Sequence, residues 1–132
     1  MRGHRVGGRR RLGGALPIAL GALLLLTGCS SFVDRDQVHV DPGTAVLLEP
    51  GHTVGQTFVA RHGGLSGVEV WLEAEPGARG EIRLHLRTDP EAAGDLAVGT
   101  LPLDRVGEAG FYRFSFSPLR DAHGRYYYAF LE

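Results

Sequence analysis

Gly67-Val68-Glu69-Val70-Trp71-Leu72-Glu73-Ala74-Glu75, followed after Pro76–Gly80 by Glu81-Ile82-Arg83-Leu84-His85-Leu86-Arg87-Thr88, alternates apolar and polar residues through both segments. Side chains of an extended chain leave opposite faces in turn, so this period of two reads as a pair of half-buried β-strands. Val68, Val70 and Leu72 point one way, and Glu69, Trp71 and Glu73 the other. Ile82, Leu84 and Leu86 likewise alternate with Arg83, His85 and Arg87. With Pro76–Gly80 between them, the two segments are expected to form a hairpin with an aliphatic inner face. Its outer face would set Glu69 and Glu73 opposite arginines, a cross-strand charge ladder. Each exposed pair contributes about 0.2–1 kcal/mol, so the ladder serves register more than stability.

The same pattern recurs outward in both directions, and no long segment after Cys29 carries the 3.6-residue period of an amphipathic helix. Eight strands are expected: Gln37–Val40, Ala45–Glu49, Val54–Ala60, Gly67–Glu75, Glu81–Thr88, Asp95–Leu103, Gly110–Ser117 and Arg125–Leu131. Asp41-Pro42-Gly43, Pro50-Gly51, His62-Gly63-Gly64, Pro76-Gly77 and His123-Gly124 are turn signals between them. Short strands at this spacing predict an all-β, antiparallel sandwich or barrel. Tyr112, Phe114 and Phe116 share one face of their strand, with Arg113 and Ser115 on the other. Arg125–Leu131 is apolar on both faces, the mark of a central strand. The chain stops one residue later; a central strand at the terminus and a truncated product of a longer gene are both open.

The N-terminal part is built differently. Arg2, Arg5, Arg9, Arg10 and Arg11 precede the apolar run Leu12–Leu26, which falls short of the roughly 20 residues a membrane-crossing helix needs. A charged head and a short apolar segment make a signal peptide. Leu26-Thr27-Gly28-Cys29 closes that segment, and Cys29 is the only cysteine, so no internal disulfide can form. These four residues resemble the bacterial lipobox. The resemblance implies that the Cys29 thiol receives a diacylglycerol, that cleavage falls just before it, and that further acylation, typically palmitate, completes a firm membrane anchor. An uncleaved N-terminal anchor is the alternative, and it leaves the domain on the same, extracytoplasmic side. The expected organisation is a signal peptide over 1–28, a lipidated N-terminus and short linker over 29–36, and a β-sandwich over 37–132. The choice between cell membrane and outer membrane stays open.

Removing Met1–Gly28 leaves 104 residues, enough for one hydrophobic core. All 14 basic residues are arginines, five of them in the leader, so the mature part carries nine against 15 acidic residues, a formal charge of −6. That balance argues against nucleic acid and against anionic headgroups as partners.

Gly55-Gln56-Thr57-Phe58-Val59-Ala60, the Gly-rich turn, Leu65–Leu72, Phe111-Tyr112-Arg113-Phe114 and Gly124-Arg125-Tyr126-Tyr127-Tyr128 follow one order. That order resembles the jelly-roll β-sandwich modules, carbohydrate-binding-like in fold, that are appended to bacterial surface and membrane proteins. The resemblance covers most of Val54–Leu131 and rests on core and turn residues. It implies fold, and no ligand residue is carried over from it.

Nothing in the chain announces catalysis. There is no G-x-S-x-G elbow, and Ser66 opens a strand rather than a nucleophile turn. His39, His52, His62, His85 and His123 are scattered without metal-ligand spacing, and read as solvated loop histidines. The loop Thr88-Asp89-Pro90-Glu91 with Asp95 offers oxygen atoms to calcium but lacks the spaced series of a dedicated loop. Trp71, the only tryptophan, points away from the aliphatic face, where it could stack on a sugar ring or pack under a loop. The expectation is therefore a non-enzymatic envelope module without cofactor or metal. It would bind a glycan or another envelope component, or act as an accessory subunit through a sheet edge or its Tyr-rich strand.

Overall fold

The structure is a computed structural model that describes residues 32–34 and 45–132. The chain divides into two units, Met1–Val33 and Asp34–Glu132, and the sheets belong entirely to the second. The expected signal peptide, Cys29, most of the expected linker, the expected strand Gln37–Val40 and the expected turn Asp41–Gly43 lie outside the described residues.

Six strands form: β1 (Val54–Ala60), β2 (Leu65–Leu72), β3 (Glu81–Arg87), β4 (Ala97–Pro102), β5 (Gly110–Leu119) and β6 (Arg125–Leu131). No α-helix occurs among the described residues, and one turn of 3-10 helix at Leu103–Arg105 follows β4. The protein is all-β and antiparallel, with six described strands where eight were expected. Ala45–Glu49 is not a strand: Val46 and Leu47 stand 68% and 65% exposed, and only Leu48 turns in to the core. Its apolar residues are consecutive rather than alternating, so no single face could be buried by pairing it.

The strands make a four-stranded sheet in the order β1-β6-β3-β4 and a two-stranded sheet β2-β5. The pairings are nested. β3 pairs β4, β2 pairs β5, and β1 pairs β6, as along one long folded ribbon. Rolling that ribbon brings β6 against β3, where Leu84 meets Leu131 and Arg87 meets Tyr128 in register. β6 is therefore internal, as its two apolar faces require.

The expected hairpin between β2 and β3 does not form; the two strands lie in different sheets. Period-two alternation fixes which residues face inward, but says nothing about which strand is the neighbour. The connection Glu73–Gly80 carries a turn at Pro76-Gly77, closed by Ala78 N–H donating to Glu75 O at 3.0 Å. Gly77 and Gly80 there take φ of 81° and 109°, which side-chain-bearing residues rarely adopt. A connector of this length spans the roughly 10 Å between packed sheets. The arginine ladder fails with the hairpin. Arg83 Nε donates to Glu81 Oε1 at 2.8 Å, Arg87 Nε donates to Asp95 Oδ1 at 2.7 Å, and Glu69 stands opposite Arg113.

The aliphatic faces of β2 and β3 meet through the core instead of side by side. Ile82, Leu84, Leu101, Val106, Phe114 and Leu131 form the larger cluster, with Val68, Val70 and Leu72 packed on it. A second cluster joins Ala60, Leu86, Ala122 and Tyr127. Phe114, Leu84 and Leu86 are essentially sealed from solvent, and burying each stabilises by about 1.5–3 kcal/mol. Gly99 lets the sheets close on each other: a Cβ there would stand 2.9 Å from Phe114 Cβ and 3.2 Å from Ser115 O.

Candidate functional site

The alternation of β2 and β5 sends Glu69 and Trp71 outward from one strand, and Phe111, Arg113 and Ser115 outward from the other. Register completes the face: Trp71 lies opposite Phe111, Glu69 opposite Arg113, and Gly67 opposite Ser115. The Trp71 and Phe111 rings meet edge to face, with centroids 5.1 Å apart and planes at 85°. Both are large apolar side chains left nearly half exposed, at 46% and 45%. Trp71 thus stands where the sequence placed it, away from the aliphatic face. Phe111 was not singled out from the sequence, although its parity with Arg113 was the available signal.

Two contacts shape the surroundings of the pair. Gly67 leaves room for the Arg113 side chain to lie across β2, since a Cβ there would come 2.9 Å from Arg113 Nε and 2.8 Å from Phe114 O. The guanidinium Nη2 then donates to Ser66 Oγ at 3.1 Å. On the other side, the Tyr112 hydroxyl accepts from Gly107 N–H at 2.9 Å and donates to Glu108 O at 2.7 Å. That tie pins the loop leading into Phe111, so the ring rests on a fixed backbone.

A second polar group sits on the outer face of the four-stranded sheet, and sequence reasoning missed it. Asp95 accepts from Arg87 Nε and lies 2.7 Å from His85 Nδ1, joining the strand β3 to the loop that follows it. Arg87 and His85 together hold the Asp95 carboxyl below its ordinary range, Arg87 having the larger effect. The His85 ring stacks on Phe130 at 4.8 Å and 12°, Arg87 Cζ lies 4.7 Å from the same ring, and Tyr128 stacks on its neighbour Phe130 at 5.7 Å. Phe130 is consequently buried while belonging to neither core cluster. His85 Nε2 is 3.1 Å from Glu132 Oε1, without hydrogen-bond geometry.

The remaining sequence candidates are accounted for locally. Asp89 holds its own turn, accepting from Glu91 N–H and Thr88 Oγ1 at 3.0 Å each, while Asp95 is committed to Arg87 and His85. Those carboxylates do not converge on a calcium position. His123 Nδ1 donates to the Arg61 carbonyl, and His52 lies 3.9 Å from Glu49. His39 lies outside the described residues. Among the described residues no three His, Cys, Asp or Glu side chains gather as metal ligands. A shallow depression of about 290 Å³ is lined by His52, Glu81, Arg83 and Glu132, away from Trp71.

What the β2–β5 face offers chemically is aromatic surface on a rigid sheet, with polar groups beside it. Set against protein-family models, curated proteins and solved structures, the chain finds no match in any of the three.

Proposed function

We propose that this protein is a non-catalytic binding module of the cell envelope, held on the extracytoplasmic side of a membrane by lipid on Cys29. Its Trp71–Phe111 face would bind a glycan. The observation that carries the binding reading is the aromatic pair itself: two rings, nearly half exposed, directly opposed on a sheet face. An exposed indole presents a flat apolar surface to the C–H face of a sugar ring, and the sheet holds it at little entropic cost. The nested pairing of β1 with β6, β2 with β5 and β3 with β4 is what a jelly roll of six strands would have, which supports that finer description of the sandwich.

The anchor is tested by labelling. The full chain should take up radioactive palmitate and lose it in Cys29→Ser; a parent chain that takes up no label and stays membrane-bound at the same precursor mass as Cys29→Ser would contradict the lipid anchor. The binding site is tested on the full-length protein in a polyoxyethylene detergent. Titration with tetramers of N-acetylglucosamine and of glucosamine should change Trp71 emission saturably, the change being weakened in Phe111→Ala. An emission unchanged by either tetramer would reject the site.

A second reading, an accessory subunit bound to another envelope protein, is favoured by Tyr126. It stands 73% exposed on the central strand β6, and Leu96 and Val98 are 45% and 44% exposed. Co-purification of one envelope protein, insensitive to added sugar and lost in Tyr126→Ser, would favour it.

A further inference from the structure

Arg113 is the cross-strand partner of Glu69, and pairing the two would neutralise the face beside Trp71. The side chain goes elsewhere: over Gly67, to Ser66 Oγ. The carboxylate of the half-buried Glu69 is left without an ion-pair or hydrogen-bond partner among the described residues, and so is that of the exposed Glu73, two residues beyond Trp71 in the connection to β3. Residues two apart along a strand lie about 6–7 Å from one another. Trp71 is thus preceded on β2 by the Glu69 carboxylate and followed, just past the strand's end at Leu72, by that of Glu73, with Phe111 across from it.

An electron-rich indole face between negative charges favours a cation. Tryptophan is the best of the aromatic residues for attracting an ammonium group, and the attraction grows where the cation is partly desolvated. Carboxylates within several ångströms add a Coulombic contribution that is screened by salt. A neutral acetamido sugar would gain only the stacking; an amino sugar would gain stacking and both charges. Resting on the glycan reading above, we propose that the Trp71–Phe111 site is selective for glycans carrying free, protonated amino groups, with Glu69 and Glu73 as the anionic partners. The same carboxylates would disfavour uronic acids and other anionic sugars.

The test compares the two tetramers on the full-length protein in polyoxyethylene detergent, at pH 6 and low ionic strength, by Trp71 emission. The glucosamine tetramer should bind about tenfold more tightly than the N-acetylglucosamine tetramer, and the preference should shrink at 0.5 M sodium chloride. It should shrink in Glu69→Gln/Glu73→Gln, which keeps the indole, and the fold of that variant is checked by an unchanged far-ultraviolet spectrum and unliganded emission. Equal binding of the two tetramers would overturn the selectivity while leaving the glycan reading standing. Binding of neither would reject both. A preference undiminished in the double variant would remove these carboxylates from the account. Lysine amide is the further arm, and should bind at least tenfold more weakly than the glucosamine tetramer; equal binding would overturn assignment of the cation to a sugar.

Discussion

Trp71 and Phe111 are direct cross-strand partners on the outer face of a two-stranded sheet, and their rings meet edge to face at 5.1 Å. An edge-to-face pair of this kind is worth about 0.5–1.5 kcal/mol beyond the area it buries. A double-mutant cycle with Trp71→Ala and Phe111→Ala, followed by urea denaturation, should return a coupling energy within that range. A coupling near zero would mean that the rings are exposed without being held.

The close approach of the sheets at Gly99 predicts a second cost. Gly99→Ala would drive a methyl group against Phe114 Cβ and the Ser115 carbonyl, neither of which can move without shifting the β5 backbone. Overpacking of this sort costs about 1–3 kcal/mol. The loss should appear as a lower urea midpoint at unchanged slope, and an Ala variant as stable as the parent would contradict the packing described.

Truncating Phe114 should be the most damaging single change in the core. It is fully buried between the sheets, and Phe→Ala in such positions costs about 3–5 kcal/mol. That is a large share of the stability of a domain this size. Thermal melts should show Phe114→Ala far less stable than Phe111→Ala, although the two positions lie on the same strand.

Asp95 predicts an acid limb in stability. Its carboxyl is held below the ordinary range by Arg87 and His85, so its folded pKa lies under its unfolded one. The contribution is fully present above the ordinary value of 3.8 and is lost as pH falls through the lowered folded value. Urea midpoints between pH 6 and pH 2.5 should fall less steeply in Asp95→Asn than in the parent at the acid end. Parallel curves would show that the pairing does not contribute.

The part of this structure legible in the sequence is the part that alternation controls. Val68, Val70 and Leu72, Ile82, Leu84 and Leu86, and Tyr112, Phe114 and Phe116 all face the core as their spacing requires. Strand neighbours were not legible. Glu69 and Glu73 beside Arg83 and Arg87 looked like one charge ladder, whereas the arginines answer to Glu81 and Asp95. Surface charges satisfy one another in many arrangements at similar energy, so they carry little information about pairing. The outward direction of Trp71 followed from parity, but its partner Phe111 depended on β2 pairing with β5, a contact distant in sequence. The apolar pattern of Arg125–Leu131 calls for cover over Phe130 without naming it; that cover comes from His85 and Arg87 on a neighbouring strand.

The most direct test of the binding face uses the fact that the chain has one tryptophan, and hence one indole N–H resonance. In a proton–nitrogen correlation spectrum of the full-length protein in detergent, adding glucosamine tetramer should move that single indole cross-peak progressively to saturation, with backbone shifts gathered at Glu69–Glu73 and Phe111–Arg113. An indole cross-peak that stays in place at millimolar tetramer would contradict the account, whether or not resonances elsewhere respond.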